Sequence, residues 1–174
     1  LAYPEEKLGE EQERRFSEGL AKREKRIPLQ YITGEQEFMG LSFLVNDQVL
    51  IPRQDTEILV EEALKYLKPG MRVLDLCTGS GCILLSLLPF CPEAEGTGAD
   101  LSRGALETAG RNCERLGIQA ELVQGDLFEN IEGTFDLIVS NPADIRRAEI
   151  QELMEEVRCR EPYMALDGHE DGLY

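Results

Sequence analysis

The feature that most constrains this chain is an apolar strand that runs directly into a glycine-rich turn. Residues 73–82 read Val-Leu-Asp-Leu-Cys-Thr-Gly-Ser-Gly-Cys, an apolar helix follows, and a second predicted strand ends at Asp100. Glycine lets a backbone approach a ligand with no side chain in between. An acid at the end of the next strand can accept hydrogen bonds from both ribose hydroxyls. This arrangement predicts a nucleoside pocket in an α/β fold.

The spacing of the glycines distinguishes two classes of nucleoside cofactor. A dinucleotide-binding turn has a third glycine three residues after Gly81, but Leu84 stands at that position. Asp75 stands four residues before Gly79, a pattern that resembles the first motif of S-adenosylmethionine-dependent methyltransferases, acid-x-Gly-x-Gly-x-Gly. Cys77 replaces the first glycine, and we expect its φ to be negative because positive φ is uncommon outside glycine. A strand-turn-helix without a ligand is the alternative.

Composition indicates a globular protein and disfavours several functions. The 174 residues are 42% hydrophobic, and 34 acids against 18 bases give a net charge of -16, which disfavours non-specific nucleic-acid binding. The five cysteines lack zinc-site spacing and there is one histidine, so no metal site is expected. The odd cysteine count and the lack of a leader pattern predict reduced thiols in a cytoplasmic protein. No apolar run is long enough to span a membrane.

Two helices are predicted before the glycine-rich turn. The highly charged residues 5–26 predict a surface helix that Pro28 ends. A second helix, capped by Asp55 or Thr56, is predicted from an apolar face with helical spacing. That face consists of Leu59, Val60, Ala63, Leu64 and Leu67. Between the two helices, the alternating residues 36–51 predict a β-hairpin with candidate turns at 39–40 and 46–47.

The remainder of the chain alternates between strands and helices, which predicts a parallel sheet with helices on both faces. The predicted strands are residues 72–76, 95–100, 120–125 and 135–140. The predicted helices are residues 81–89, 102–116 and 147–157, the second of them capped by Ser102 and closed by Gly117. Asp75, Asp100, Asp126 and Asn141 stand at or just after successive strand ends. We therefore expect these four residues to share one site.

These segments together resemble the HemK/PrmC family, protein-glutamine methyltransferases that modify peptide chain release factors. The resemblance covers residues 27–173, and the block Pro-Leu-Gln-Tyr-Ile-Thr-Gly at 28–34 is one of its narrowest signals. The other matching blocks are residues 38–41, 50–57, 75–81, 125–128, 141–142 and 161–173. The resemblance implies a class I methyltransferase fold, which is Rossmann-like, with its C-terminal strands absent from this chain. It divides the chain into a remnant of an N-terminal helical substrate-recognition domain, a β-hairpin linker and a methyltransferase domain, at residues 1–34, 35–52 and 53–174.

The resemblance also implies a cofactor, a partner and site residues. The cofactor is S-adenosylmethionine, with S-adenosylhomocysteine as product, and the partner is a release factor rather than a nucleic acid or a membrane. Asp100 accepts the ribose hydroxyls, Asp126 and Leu127 flank the adenine, and Arg53 and Thr56 close over the methionine end or the substrate. The other implied cofactor residues are Cys77, Thr78, Gly79, Ser80, Gly81 and Asn141.

Two carbonyl acceptors suit a primary amide as the methyl acceptor. An amide nitrogen is a poor nucleophile, and acceptors for its two N–H groups hold it and favour charge on nitrogen in the transition state. The Asn141 side chain and the Pro142 backbone carbonyl provide this pair. Two alternative functions stay open. One is methyl transfer to an exocyclic amino group of a nucleic-acid base, which the acidic charge disfavours, and the other is a non-catalytic binding module.

The match to the family is interrupted immediately after Pro142. The family continues with Pro-Tyr and a few more loop residues, whereas this chain continues with Ala143-Asp144-Ile145. Either half of the substrate motif has been lost, or loop residues belong between Pro142 and Ala143. The faithful flanks favour the second explanation, and we predict that these two residues are not covalent neighbours in the intact protein.

Overall fold

A computed structural model describes residues 9–173, and the first described element is a solvent-exposed helix. Helix α1 (Glu10–Glu24) buries none of its residues. The predicted helix at 5–26 is thus confirmed in position, although its residues 5–8 lie outside the described residues. Pro28 does not end α1, which stops at Glu24 with Lys25 as its C-cap. Pro28 instead precedes a second short helix, α2 (Leu29–Thr33), because the fixed φ of proline suits the start of a helix.

The predicted β-hairpin is present but shorter than predicted. Strands β1 (Glu35–Phe38) and β2 (Leu41–Leu44) pair antiparallel through a two-residue turn. Met39 and Gly40 of this turn have φ of 50° and 72°, the left-handed pair that matches the twist of a hairpin. The candidate turn at 46–47 is also present, because the Gln48 N–H donates to the Asn46 side chain at 2.9 Å. The chain forms no strand immediately after this second turn, and the next strand begins at Arg72.

A four-stranded parallel sheet organises the rest of the described chain. Its order is β5-β4-β3-β6, and each neighbouring pair is parallel. The strands are β3 (Arg72–Leu76), β4 (Glu95–Asp100), β5 (Glu121–Gln124) and β6 (Leu137–Ser140). The bounds of β3 and β4 are those predicted, and β5 and β6 are one or two residues shorter at their ends. All four strands therefore end at the same edge of the sheet.

The helices and their caps agree with the predictions to different degrees. Helix α5 (Arg103–Leu116) has both predicted caps, since Ser102 accepts the Ala105 N–H and Gly117 is left-handed. The other helices are α3 (Glu57–Leu64) and α4 (Cys82–Leu87), each flanked by a 3₁₀ turn. Thr56 lies at the N-cap of α3, but its side chain makes no capping bond, so that prediction was wrong.

The predicted helix at 147–157 is also wrong as a single element. The structure has a 3₁₀ turn (Glu149–Glu152) and then α6 (Glu155–Arg160). Leu153 and Met154 between them have ψ of 153° and 139°, which is extended backbone that interrupts helical hydrogen bonding.

Two apolar clusters cover the two faces of the sheet. The main cluster joins α3, α4 and the hairpin to Val73 and Val139, with partly buried residues of α5 packed against it. The second cluster lies on the opposite face, where Leu74, Leu76 and Ala99 contact Ile131 and Phe135. Those two covering residues belong to the connection 125–136, which has no helix. Within residues 9–173 the second face is thus covered by this connection.

None of the helices within residues 9–173 is long and apolar enough to cross a bilayer.

Candidate cofactor and acceptor site

A cavity of about 270 Å³ lies at the carboxyl edge of the parallel sheet. This is the edge at which open α/β sheets bind ligands. The structure brings most of the predicted site residues to its lining, namely Arg53, Thr56, Cys77, Thr78, Gly79, Ser80, Asp100, Asp126, Leu127 and Asn141. Gly81 and Pro142 are not among the lining residues. Gly81 instead caps α4, where an added Cβ would lie 3.2 Å from the Leu85 side chain.

The glycine-rich turn has left-handed backbone at three alternate positions. Cys77, Gly79 and Gly81 have φ of 56°, 57° and 80°. The turn is anchored by the Thr78 N–H, which donates to the Ala99 carbonyl at 3.0 Å. The expectation of a negative φ at Cys77 was therefore wrong. The turn keeps the conformation that glycine would adopt freely, and the cysteine pays the steric cost of about 1–2 kcal/mol that a Cβ brings there.

Asp100 ties the end of β4 to the glycine-rich turn. Its carboxylate accepts the Gly79 N–H at 2.9 Å through Oδ2 and the Ser102 N–H at 2.8 Å through Oδ1. Burial raises the pKa of Asp100, and these two hydrogen bonds oppose that rise. Each carboxylate oxygen keeps acceptor capacity beyond one bond. Asp100 is thus held in place by the chain and can still accept hydrogen bonds from a pair of vicinal hydroxyls.

Asp75 does not share this cavity, contrary to the expectation from its place at a strand end. Its side chain is fully buried beneath the turn, where it accepts the Thr78 hydroxyl at 2.7 Å. Its second oxygen, Oδ1, has no hydrogen-bond partner within the described residues. Burial is the main cause that raises the pKa of Asp75 to about 7. Asp75 therefore supports the turn from inside the protein.

Two glycines of β4, which sequence reasoning missed, let the turn and α4 approach the sheet. A Cβ at Gly96 would lie 2.7 Å from the Leu88 side chain, and one at Gly98 would lie 3.0 Å from the Thr78 hydroxyl. These contacts are too close for ordinary atoms. In a dinucleotide-binding turn a third glycine permits this close approach. In this protein the glycines of the neighbouring strand β4 permit it. The Gly-Thr-Gly sequence just before Ala99-Asp100 was the available signal.

The opposite side of the cavity is formed by Asn141 and a segment late in the chain. Asn141 follows β6, and its side chain makes no hydrogen bond within residues 9–173. Ile145 then pairs with the late segment, donating to the Leu166 carbonyl at 3.1 Å and accepting from Gly168 at 2.9 Å. This segment adds lining residues that were not predicted as site residues, namely Pro162, Tyr163, Met164, Ala165, Asp167 and His169.

Arg147 and Asp167 hold this late segment in place. The Arg147 guanidinium donates to both carboxylate oxygens of Asp167, with a shortest distance of 2.8 Å. Hydrogen bonding to Arg147 is the main cause that holds the pKa of Asp167 below its usual value. The His169 N–H also donates to Asp167, at 3.1 Å. Within residues 9–173 no three His, Cys, Asp or Glu side chains are grouped as metal ligands.

Arg53 lies at the cavity edge and forms an ion pair across it. Its Nη2 donates to Glu161 Oε1, and the Glu161 side chain is only 1% exposed. The Ile51 N–H donates to the other Glu161 oxygen at 3.2 Å. The side of the cavity that contains Arg53 is therefore fixed to the residue immediately before Pro162.

Comparisons with known proteins agree with this geometry. The family model of the methyltransferase small domain matches residues 54–157, and that of the PrmC N-terminal domain matches residues 1–34. The release factor glutamine methyltransferase of Geobacter sulfurreducens is 51% identical over 155 residues, which are 88% of this chain and 55% of that protein. The enzyme of the same name from Agrobacterium fabrum is 42% identical over 178 residues, 98% of this chain and 62% of that protein.

Among solved structures, the crystal structure of a methyltransferase from Pyrococcus furiosus has a TM-score of 0.54 at 24% identity, covering 71% of this chain and 63% of that one. The sheet order, the glycine-rich turn and this likeness confirm the predicted class I methyltransferase fold. The chain belongs to the methyltransferase small domain family and, within it, to the HemK/PrmC family. It spans 55% and 62% of the lengths of the two relatives named above.

Proposed function

We propose that this protein transfers a methyl group from S-adenosylmethionine to the side-chain amide nitrogen of the glutamine in the Gly-Gly-Gln motif of a peptide chain release factor. The observation that carries the proposal is one cavity that contains both the Asp100 carboxylate and the unbonded side-chain amide of Asn141. The relatives named as release factor glutamine methyltransferases support the choice of acceptor. The division of the chain at residues 34 and 52 remains part of this proposal.

The residues at the glycine-rich turn fit the nucleoside part of the cofactor. Asp100 is positioned by two backbone N–H groups and accepts the ribose hydroxyls. Gly79 has open space where a Cβ would stand, since the nearest atom is 4.0 Å away. The buried side chain of Ser80 also belongs to the cavity lining. Asp126 and Leu127 at the end of β5 present one polar and one apolar side chain for the adenine.

The chain contributes positioning rather than acid–base chemistry. When bound, S-adenosylmethionine supplies a sulfonium-activated methyl group and leaves as the thioether S-adenosylhomocysteine. Asn141 Oδ1, in the cavity lining, accepts one N–H group of the glutamine amide. In this proposal the carbonyl of the next residue, Pro142, which lies outside that lining in the structure, accepts the other N–H group, so that the nitrogen is oriented and positive charge on it is favoured. The nitrogen gains the methyl carbon and releases one proton to solvent. Glycines beside the acceptor let an extended loop enter the cavity without side-chain clashes.

Methyl transfer from labelled S-adenosylmethionine to purified release factor tests this function. We expect label in wild-type release factor and none in a variant in which the glutamine of the Gly-Gly-Gln motif is alanine. Label in RNA or DNA instead of release factor would show that the acceptor is a nucleic-acid base. Binding of cofactor without transfer to any of these acceptors would identify a non-catalytic module.

The junction between Pro142 and Ala143 decides how complete the acceptor side is. Mass mapping of the peptide that spans this junction, on the protein made from its gene, measures how many residues lie between the two. Additional residues would supply the rest of the family motif and support catalysis. A direct Pro142-Ala143 bond would favour the non-catalytic module.

A further inference from the structure

We propose that Glu161 is a positioning residue for the cofactor cavity and that it acts through Arg53. Glu161 and Arg53 are 108 residues apart in the chain and meet at the cavity edge. The inference rests on the cofactor binding proposed above. It adds a residue, Glu161, that links two segments of the cavity lining through hydrogen bonds. It concerns affinity for the cofactor and not the transfer step.

The burial of Glu161 requires the partners that it has. A buried carboxylate is costly unless its charge is paired and its oxygens are hydrogen-bonded. Glu161 meets this condition with the Arg53 guanidinium on one oxygen and the Ile51 N–H on the other. The Arg53 side chain is 38% exposed and lines the cavity, whereas Glu161 is not a lining residue. Removal of either charge would leave the other one poorly compensated.

Glu161 stands where two parts of the cavity lining meet. The segment 48–53 provides one side, with Gln48, Val49, Leu50, Pro52 and Arg53 in the lining. The segment that begins immediately after Glu161 provides the other side, with Pro162, Tyr163, Met164 and Ala165. The bonds from Glu161 to Ile51 and Arg53 are therefore the direct polar link between these two sides. Loss of the link would widen the cavity where the two segments meet.

Helix α2 extends the same link to the N-terminal part of the chain. The Tyr31 hydroxyl donates to the Val49 carbonyl at 2.7 Å, and burial is the main cause that raises the pKa of Tyr31. The Val49 side chain is 1% exposed and packs with Tyr31 and Ala105 of α5. Segment 49–53 is thus held by Tyr31 at one end and by Glu161 at the other. None of these contacts involves Asn141.

Calorimetric titration with S-adenosylhomocysteine tests the proposal. The set is wild type, Glu161→Gln, Arg53→Gln, the double variant and the control Glu57→Gln. Glu57 also accepts a backbone N–H through its carboxylate, that of Met39 at 2.7 Å, but it does not line the cavity. We expect Glu161→Gln and Arg53→Gln each to weaken binding about tenfold. The double variant should bind at most about twofold more weakly than either single variant, because the two residues act as one unit. Glu57→Gln should stay within about twofold of wild type.

Turnover measurements separate positioning from a merely structural role. At saturating S-adenosylmethionine, Glu161→Gln should recover the wild-type turnover while its KM for the cofactor stays raised. Arg53→Lys keeps the positive charge and should restore most of the affinity that Arg53→Gln loses. If Glu161→Gln does not fold, the two Arg53 variants carry the test.

Wild-type affinity in Glu161→Gln, or fully additive losses in the double variant, would overturn the role of Glu161. An equal loss of cofactor affinity in Glu57→Gln would show that any damaged backbone contact has this effect and would overturn it as well. A wild-type protein that binds no S-adenosylhomocysteine would instead refute the proposed function, on which this inference rests.

Discussion

The two sides of the cavity are held in different ways. We call the side around Asp100 the nucleoside side and the side around Asn141 the acceptor side, after the proposed function. On the nucleoside side, Asp100 accepts two backbone N–H groups at 2.8 and 2.9 Å, and Thr78 fixes the turn to both Asp75 and Ala99. On the acceptor side, the Asn141 side chain makes no hydrogen bond within the described residues.

The difference indicates which half of the site is organised before a ligand arrives. Fixed dipoles need no reorganisation when the ligand binds, so the nucleoside side is prepared for its cofactor. In the proposed function, the Asn141 amide acquires its partners from the methyl acceptor. Variants should therefore separate into those that change cofactor affinity and those that change turnover alone.

Replacement of Asn141 should give the largest effect. Asn141→Ala removes a carbonyl that acts mainly in the transition state, so we expect turnover to fall about 10²–10³-fold. Affinity for S-adenosylhomocysteine should stay within about twofold of wild type, as a contact that matters only in the transition state requires. Single-turnover methylation of release factor and calorimetry measure the two quantities.

Asn141→Asp is the sharper companion variant. It keeps an acceptor oxygen but adds a charge, so a neutral amide should be held in an unfavourable field and methylated slowly. Wild-type turnover in Asn141→Ala would refute the proposed mechanism.

Replacement of Asp100 should break the other half of the comparison. Asp100→Ala removes charge-assisted hydrogen bonds to the ribose and should weaken cofactor binding by about 1.5–3 kcal/mol. Asp136→Ala is a matched control, because Asp136 also accepts a backbone N–H, that of Arg72 at 2.9 Å, at the opposite end of the sheet. Calorimetry should find near wild-type affinity in the control, and unchanged affinity in Asp100→Ala would remove the cofactor from this position.

Asp75, which lies beneath the glycine-rich turn, should make the free energy of unfolding depend on pH. Burial raises the folded-state pKa of Asp75 to about 7, above its value in the unfolded chain. Between these two values the folded state keeps a proton that the unfolded state has released, so the free energy of unfolding falls as pH rises from about 4 to about 7. Each pKa unit corresponds to about 1.4 kcal/mol.

Urea unfolding at a series of pH values measures this dependence. Asp75→Asn cannot titrate, so its stability should vary less over the same range than that of wild type. The raised pKa of Asp100 acts in the same direction in both proteins and cancels in the comparison. An identical pH profile in the two proteins would contradict the assignment.

Cys77 should give the smallest effect. Its φ of 56° is strained for a residue with a Cβ, so Cys77→Gly should stabilise the fold by about 1 kcal/mol. Thermal unfolding should show a melting temperature higher by a few degrees, with cofactor affinity little changed. A lower melting temperature would mean that the cysteine side chain contributes packing that outweighs the strain.

Local sequence patterns predicted an element correctly where the residues within and next to it determine its bounds. Strand β3 is a short apolar run next to a turn, and β4 follows the Pro92 turn and ends at Asp100, so the bounds of both strands were predicted correctly. Helix α5 carries both its start signal, Ser102, and its stop signal, Gly117, in the sequence. The order of the strand ends along the chain also placed Asp100, Asp126 and Asn141 at one edge, because parallel strands share their direction.

The rest depended on contacts that a local pattern does not contain. The ion pair of Arg53 and Glu161 joins residues 108 positions apart, and the local pattern around Arg53 gives no sign of this partner. The left-handed Cys77 is imposed by bonds on both sides of the turn, against its own preference. Asp75 looked like a cavity residue because it ends a strand, yet its partner Thr78 holds it inside.

The order of strands in the sheet also predicts how the backbone amides exchange with solvent. Within the described residues β3 and β4 each have a hydrogen-bonded neighbour on both sides. Amides of β4, which carries Asp100, should therefore exchange their hydrogens with solvent slowly. The carboxylate at the end of β4 is thus carried by a well-protected strand, and it should keep its position while more exposed parts of the chain open locally.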